Sequence, residues 1–112
     1  MRLRHIKGAE QQIAESPFVI HDPEEQKGHW RDVFGNDHPI EIEVGMGKGK
    51  FIMDLAAAHP DVNYLGIERY SSVLLRALQK RAERDLSNIF FLCIDAKEMA
   101  DYFAPSEVSR IY

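Results

Sequence analysis

The run Ile40-Glu41-Ile42-Glu43-Val44-Gly45-Met46-Gly47-Lys48-Gly49-Lys50 constrains the fold more than any other part of this chain. It reads as a short strand that ends in a glycine-rich turn, with a carboxylate two residues before the first glycine. Glycines at alternate positions let a backbone adopt positive φ and approach a ligand closely. A helix that follows such a turn aims its free N–H groups at the same place. Two familiar ligand templates are excluded by spacing. A dinucleotide turn needs glycine at its first, third and sixth positions, and the sixth here is Lys50. A phosphate-cradling loop needs Ser or Thr after its lysine, and Phe51 follows Lys50. What remains is an E-x-G-x-G-x-G turn, whose acidic flank suits a cationic ligand without phosphates.

Beyond this turn the chain alternates strand and helix. Lys50–Ala58 reads as a helix with Phe51, Ile52 and Leu55 inward, and Tyr64–Ile67 as a second strand. A helix from about Ser72 to Arg84 follows, capped by Ser71 or Ser72, with Leu74, Ala77, Leu78 and Ala82 on its apolar face. Ile89–Ile94 is a continuous apolar run, as in a parallel strand covered on both faces. A short helix over Lys97–Phe103 stops near Pro105, and Val108–Tyr112 begins a fourth strand. This order predicts right-handed βαβ units and a parallel α/β sheet. Residues 1–36 read as a polar N-terminal extension in which Trp30, Val33 and Phe34 mark a short packing helix, and residues 37–112 as the ligand-binding unit. Glu41 fits least well, and a solvated position early in its strand is the expectation.

Composition narrows the class. At 112 residues the chain is one domain or part of one, and its 45% hydrophobic content is that of a globular protein. No apolar run approaches the roughly 20 residues of a membrane helix. Met1-Arg2-Leu3-Arg4-His5 lacks the apolar core of a secretory signal, so the expected compartment is the cytoplasm. The single cysteine, Cys93, has no partner for an internal disulfide and reads as a small core residue. A net charge of −4 argues against a generally basic, nucleic-acid-coating surface. Two local basic clusters remain: Arg2, Arg4 and Lys7, and then Arg76, Lys80, Arg81 and Arg84, the latter expected to be solvated surface. His5, His21, His29, His38 and His59 show no paired metal-ligand spacing, so no metal is expected.

The three central strands end in acids: Glu43, Glu68 and Asp95. Ligands of open α/β sheets lie outside the carboxyl ends of the strands, so these acids are expected to converge on one site. Glu68 is placed to accept from ribose hydroxyls, Asp95 from an adenine amino group, and Glu43 to favour a cationic amino group, directly or through water.

These residues together resemble the bacterial tRNA (guanine-N7)-methyltransferases. The likeness is carried by Ile42-Glu43-Val44-Gly45-Met46-Gly47-Lys48-Gly49, by Gly66-Ile67-Glu68 and by Asp95-Ala96. It is also carried by Pro23-Glu24-Glu25-Gln26-Lys27-Gly28-His29-Trp30 and by Val108-Ser109-Arg110-Ile111-Tyr112. The resemblance covers nearly all of this chain and about the first half of such an enzyme. It implies a Rossmann-like class I methyltransferase sheet, truncated after the fourth strand, and S-adenosylmethionine as cofactor. Cofactor contacts are implied at Glu43, Gly45, Gly47, Gly49, Glu68, Asp95 and Ala96. The implied substrate is a guanosine in the tRNA variable loop, with Arg2, Arg4 and Lys7 as candidate phosphate contacts. No catalytic residue is expected within this chain, because the family's acidic Asp-Pro-Trp-Pro-Lys segment would lie beyond Tyr112. Weak cofactor binding, no turnover alone and self-association through the fourth strand are the expectations. The rivals are a non-catalytic module binding S-adenosylmethionine or a partner, another Rossmann-like methyltransferase, and a dinucleotide-dependent oxidoreductase, which Lys50 disfavours.

Overall fold

The computed structural model describes residues 8–112. Its centre is a parallel sheet of β1 (Ile40–Val44), β2 (Asn63–Ile67), β3 (Ile89–Leu92) and β4 (Arg110–Ile111), in the order β3-β2-β1-β4. Helices α4 (Lys50–Ala58) and α5 (Ser71–Ala82) make the crossovers. Three short helices, α1 (Ala9–Glu15), α2 (Pro23–Gln26) and α3 (Trp30–Phe34), precede the sheet. The expected α/β architecture is therefore present.

Two apolar layers hold the sheet. On one face Ile52, Met53 and Ala56 of α4 and Leu74, Ala77 and Leu78 of α5 pack with Tyr64, Ile89 and Phe91. On the other, Ile40, Ile42, Leu65, Ile67 and Leu92 pack around Trp30 of α3. Trp30 is fully buried, stacks on Phe103 at 5.0 Å and donates its indole N–H to Tyr102 O at 2.8 Å. The expected packing helix is thus α3, and its tryptophan satisfies its polar edge as buried indoles must.

Several boundaries differ from expectation. Phe51 is 49% exposed rather than inward, and Met53 takes the buried position on α4. Ala82 is exposed. Neither Ser71 nor Ser72 caps α5; its N-cap is Tyr70, and the Ser71 hydroxyl donates instead to Glu10 of α1 at 3.1 Å. The third strand stops at Leu92, leaving Cys93 and Ile94 beyond the ladder; Cys93 is half-buried against the α4/α5 core. Residues 96–102 form a 3₁₀ helix opened by Asp95. Glu41 has a partner that sequence spacing did not suggest: the Tyr112 hydroxyl donates to its Oε1 at 2.8 Å.

The segment before α3 is woven into the sheet. Val19 pairs in parallel with Phe91, so residues 18–20 cover the outer side of β3. Glu107 fastens the other end, accepting from the backbone N–H groups of Gly28 (2.9 Å), Trp30 (3.3 Å) and Ala104 (2.9 Å). Asn63, fully buried at the start of β2, donates to the Asn36 side-chain oxygen at 2.8 Å and so orients the entry to β1.

Candidate functional site

At the carboxyl ends of β1, β2 and β3 lies a hollow of about 380 Å³. Gly45 and Gly47 form its floor, Val44, Ile67, Val73 and Ile94 its apolar walls, and Glu68, Asp95 and Ala96 its polar side. Its size is that of an ordinary small-molecule pocket, and apolar walls with few placed polar groups are the usual lining. A Cβ added at Gly45 or Gly47 would meet nothing within 4 Å, so the turn leaves its backbone open to a ligand. Both residues have positive φ, +67° and +60°, which a side chain would strain.

Glu68 is the buried acid of the site. It is 7% exposed, and its Oε1 accepts from Gly47 N–H at 3.0 Å while Oε2 accepts from Tyr70 N–H at 3.1 Å. These two bonds lock the carboxylate between the glycine turn and the start of α5, and a carboxylate retains further acceptor capacity after two such bonds. Gly66, two residues earlier, makes the turn possible. A Cβ there would lie 2.3 Å from Met46 Sδ and 3.0 Å from Phe91 Cδ1, so Met46 packs down only because position 66 has no side chain.

Asp95 opens the 3₁₀ helix through a capping box. Its Oδ1 accepts from Lys97 N–H at 3.0 Å, and the Glu98 carboxylate accepts from Asp95 N–H at 3.2 Å. Its Oδ2 faces Arg69 at 3.4 Å. Arg69 and Tyr70 also line the hollow, and sequence reading passed over both. The Arg69 guanidinium sits 4.6 Å over the Tyr70 ring and donates to its hydroxyl at 2.6 Å. The available signal was their position directly after a strand-end acid.

Of the expected residues, Gly45, Gly47, Glu68, Asp95 and Ala96 share the hollow; Glu43 and Gly49 are not among those that line it. The expected convergence of three acids is corrected to two. The reason is strand alternation: Ile40, Ile42 and Val44 face the Trp30 layer, so Glu43 turns to the α4 side. There its Oε1 is buried without a hydrogen-bond partner among the described residues. Burial pushes the Glu43 carboxyl above the usual range, and the Ile52 backbone N–H works against that shift. Gly49 is the N-cap of α4. Arg2, Arg4 and Lys7 lie outside the described residues. In the second basic cluster Arg76 and Lys80 are exposed, Arg84 pairs with Asp54 at 3.1 Å, and Arg81 lies 4.3 Å over Phe18. Cys93 borders the site; burial, with Glu68 and Glu10 near it, pushes its thiol up. Among the described residues no cluster of His, Cys, Asp or Glu is arranged to hold a metal ion, and no helix is long and apolar enough to cross a membrane.

Comparison with known proteins agrees with this geometry. Over all 112 residues the chain is 58% identical to a protein of Lachnoclostridium phytofermentans named tRNA (guanine-N(7)-)-methyltransferase. It covers 52% of that relative, so the chain spans about half the length of the curated relatives it matches. An antibiotic-related methyltransferase of solved structure superposes with a TM-score of 0.59 at 23% identity, over 75% of this chain and 43% of its own. A phosphoethanolamine N-methyltransferase of Haemonchus contortus, solved with S-adenosyl-L-methionine, gives 0.52 at 18% identity, over 71% of this chain and 18% of its own. At such identities these two likenesses speak for the Rossmann-like fold alone. Residues 37–112 match a family model described as "Putative methyltransferase", and with strand order, glycine turn and close relatives in agreement, the chain belongs to this methyltransferase family.

Proposed function

We propose that this chain is the cofactor-holding part of a cytoplasmic S-adenosylmethionine-dependent methyltransferase that methylates guanine N7 in tRNA. The observation that carries the reading is the hollow at residues 44–47, 67–70 and 94–96, where an open glycine turn meets apolar walls and two acids with acceptor capacity to spare. The residues fit the cofactor. Glu68, pinned by two backbone N–H groups, accepts from the ribose hydroxyls, and Asp95 from the adenine amino group. Val44, Ile67, Val73 and Ile94 offer apolar surface to the purine, with Ala96 beside it. Gly45 and Gly47 allow close backbone approach, and Gly49 starts the helix behind them. Glu43 lies outside the hollow's lining, so any effect on a cationic amino group is exerted through water rather than by contact. Residues 1–36 act as an extension and 37–112 as the cofactor-binding unit.

When bound, the cofactor supplies a methyl group on a sulfonium, already an electrophile. Guanine N7 has an exposed lone pair, so no proton leaves before attack, and the protein's work is placement. Methylation of tRNA belongs to the whole protein, whose relatives are about twice this length. Arg2, Arg4 and Lys7 contact substrate phosphates in this reading, so neutralising all three flattens the salt dependence of tRNA binding. On its own this chain binds the cofactor weakly, does not turn over, and tends to pair through β4.

Calorimetric titration tests the reading. S-adenosylmethionine and its demethylated product should bind, NAD should not, and Glu68→Gln should weaken binding at least tenfold. Binding of NAD with no response to S-adenosylmethionine would turn the assignment toward a dinucleotide enzyme.

A further inference from the structure

Asp95 and Arg69 stand side by side on the wall of the hollow, one an acceptor and the other a donor. Asp95 Oδ1 accepts from Lys97 N–H at 3.0 Å, and its Oδ2 faces Arg69 Nη1 at 3.4 Å. A carboxylate oxygen has two lone-pair directions, so Oδ2 keeps one free. Arg69 Nη2 donates to the Tyr70 hydroxyl at 2.6 Å. A guanidinium carries several N–H donors in a rigid fork, so a second N–H on Nη1 is uncommitted among the described residues.

The guanidinium is also held in place. It lies 4.6 Å over the Tyr70 ring, and Tyr70 is itself fixed as the N-cap of α5, its N–H donating to Glu68 Oε2 at 3.1 Å. Folding gains little from this arrangement: the Arg69 and Asp95 side chains are 54% and 38% exposed, and ion pairs so open to water contribute little to stability.

A neighbouring acceptor and donor match one edge of a 6-aminopurine. That base shows an N–H donor at N6 beside an acceptor ring nitrogen, and an Asn or Gln reads it with an acceptor and a donor set side by side. A 6-oxopurine turns an oxygen toward the same place, where the Asp95 carboxylate has no proton to offer. We propose that Arg69 is a specificity-determining residue for the base: while Asp95 accepts from the adenine amino group, Arg69 donates to the ring nitrogen beside it. The two side chains then read that edge as a unit, and Tyr70 serves as the support that presents Arg69. This role presupposes the cofactor reading above and extends it from a single acid to a donor–acceptor pair.

The test compares S-adenosylhomocysteine with its 7-deaza and 1-deaza analogues, each of which replaces one ring nitrogen beside the amino group by C–H. In calorimetry, or ligand-observed NMR for weak binding, the 112-residue chain should bind at least one analogue roughly tenfold more weakly than the native ligand. Arg69→Met keeps a long side chain over Tyr70 and removes every donor. It should bind the native ligand roughly tenfold more weakly and should no longer distinguish it from that analogue, a coupling that a double cycle of ligand and variant measures directly. Tyr70→Phe, which releases the guanidinium from its hydroxyl tether, should lose part of the discrimination. Arg76→Ala removes an exposed positive charge from α5 and should change none of these ratios.

Equal binding of all three ligands by the parent overturns the proposal and leaves the cofactor reading intact. Discrimination that survives unchanged in Arg69→Met overturns it too, whether a backbone N–H meets the ring nitrogen or the guanidinium lies on the face of the base. A parent chain that does not bind S-adenosylhomocysteine at all sinks the cofactor reading, and this role with it.

Discussion

The sheet carries a hollow at each end, about 380 Å³ at the carboxyl ends of the strands and about 490 Å³ at the amino ends. Each is lined by two carboxylates, Glu68 and Asp95 at one end and Asp37 and Glu107 at the other, and Glu68 and Glu107 are used differently. At the amino end Glu107 accepts three backbone N–H groups from segments far apart in sequence, which ties Gly28 and Trp30 to Ala104. At the carboxyl end Glu68 accepts only two, and keeps acceptor capacity toward the hollow. The walls differ as well: Val44, Ile67, Val73 and Ile94 surround one hollow, while Arg31, Asp37, His38, Ser106 and Ser109 surround the other. The larger hollow is thus less suited to a nucleoside, because Glu107 is already consumed by the fold and Asp37 sits at its exposed rim among polar neighbours. Remaining acceptor capacity beside apolar wall, rather than volume, separates a binding site from a structural joint.

That contrast is open to attack at four points. Glu107→Ala should have the largest effect, because it orphans three backbone donors; urea denaturation should show a loss of about 3 kcal/mol. Cofactor affinity of the remaining folded protein should be unchanged, and a parallel loss of affinity would mean that the two ends are coupled. Gly66→Ala drives a methyl group into Met46 and Phe91 and should cost about 2 kcal/mol in the same assay. Unlike the Glu107 change, it should also weaken cofactor binding, because Met46 belongs to the glycine turn.

Glu68→Gln keeps the shape and replaces a charged acceptor by a neutral one. Titration should show at least a tenfold affinity loss, equivalent to about 1.4 kcal/mol, with a smaller effect on folding. Glu43→Gln should act in the opposite sense on folding. Burial raises the Glu43 carboxyl, so its contribution to stability is full below the usual carboxylate range and is lost as pH rises through the raised value. The neutral variant should therefore melt higher than the parent at neutral pH and at the same temperature in acid, measured by thermal melts across pH. A Glu43→Gln variant less stable at neutral pH would show that the Ile52 N–H outweighs the burial of the carboxylate.

Much of this was legible in the residues. The alternation of apolar runs with helical stretches announced the parallel sheet, and the glycine turn with Glu68 and Asp95 announced the end at which a ligand lies. Trp30, Val33 and Phe34 marked a packing helix because their spacing is a local property. Arg69 and Tyr70 were missed although adjacent to Glu68, since nothing in their type separates a pocket wall from solvated surface. The inward assignment of Phe51 failed for a similar reason. Its position on α4 borders the open β4 edge, where an apolar residue finds Tyr112 and solvent rather than core.

By itself the sequence determined the strands, the turn and the acids at the strand ends, because period-two and helical patterns, glycine and charge act over a few residues. Only the tertiary structure decided which acids share a hollow and what closes the outer side of β3. Alternation carries Glu43 to the α4 face, residues 18–20 seal β3, and Glu107 clasps Gly28 from 79 positions away. Such pairings are set by which surfaces meet once the sheet has formed, and no local pattern encodes them.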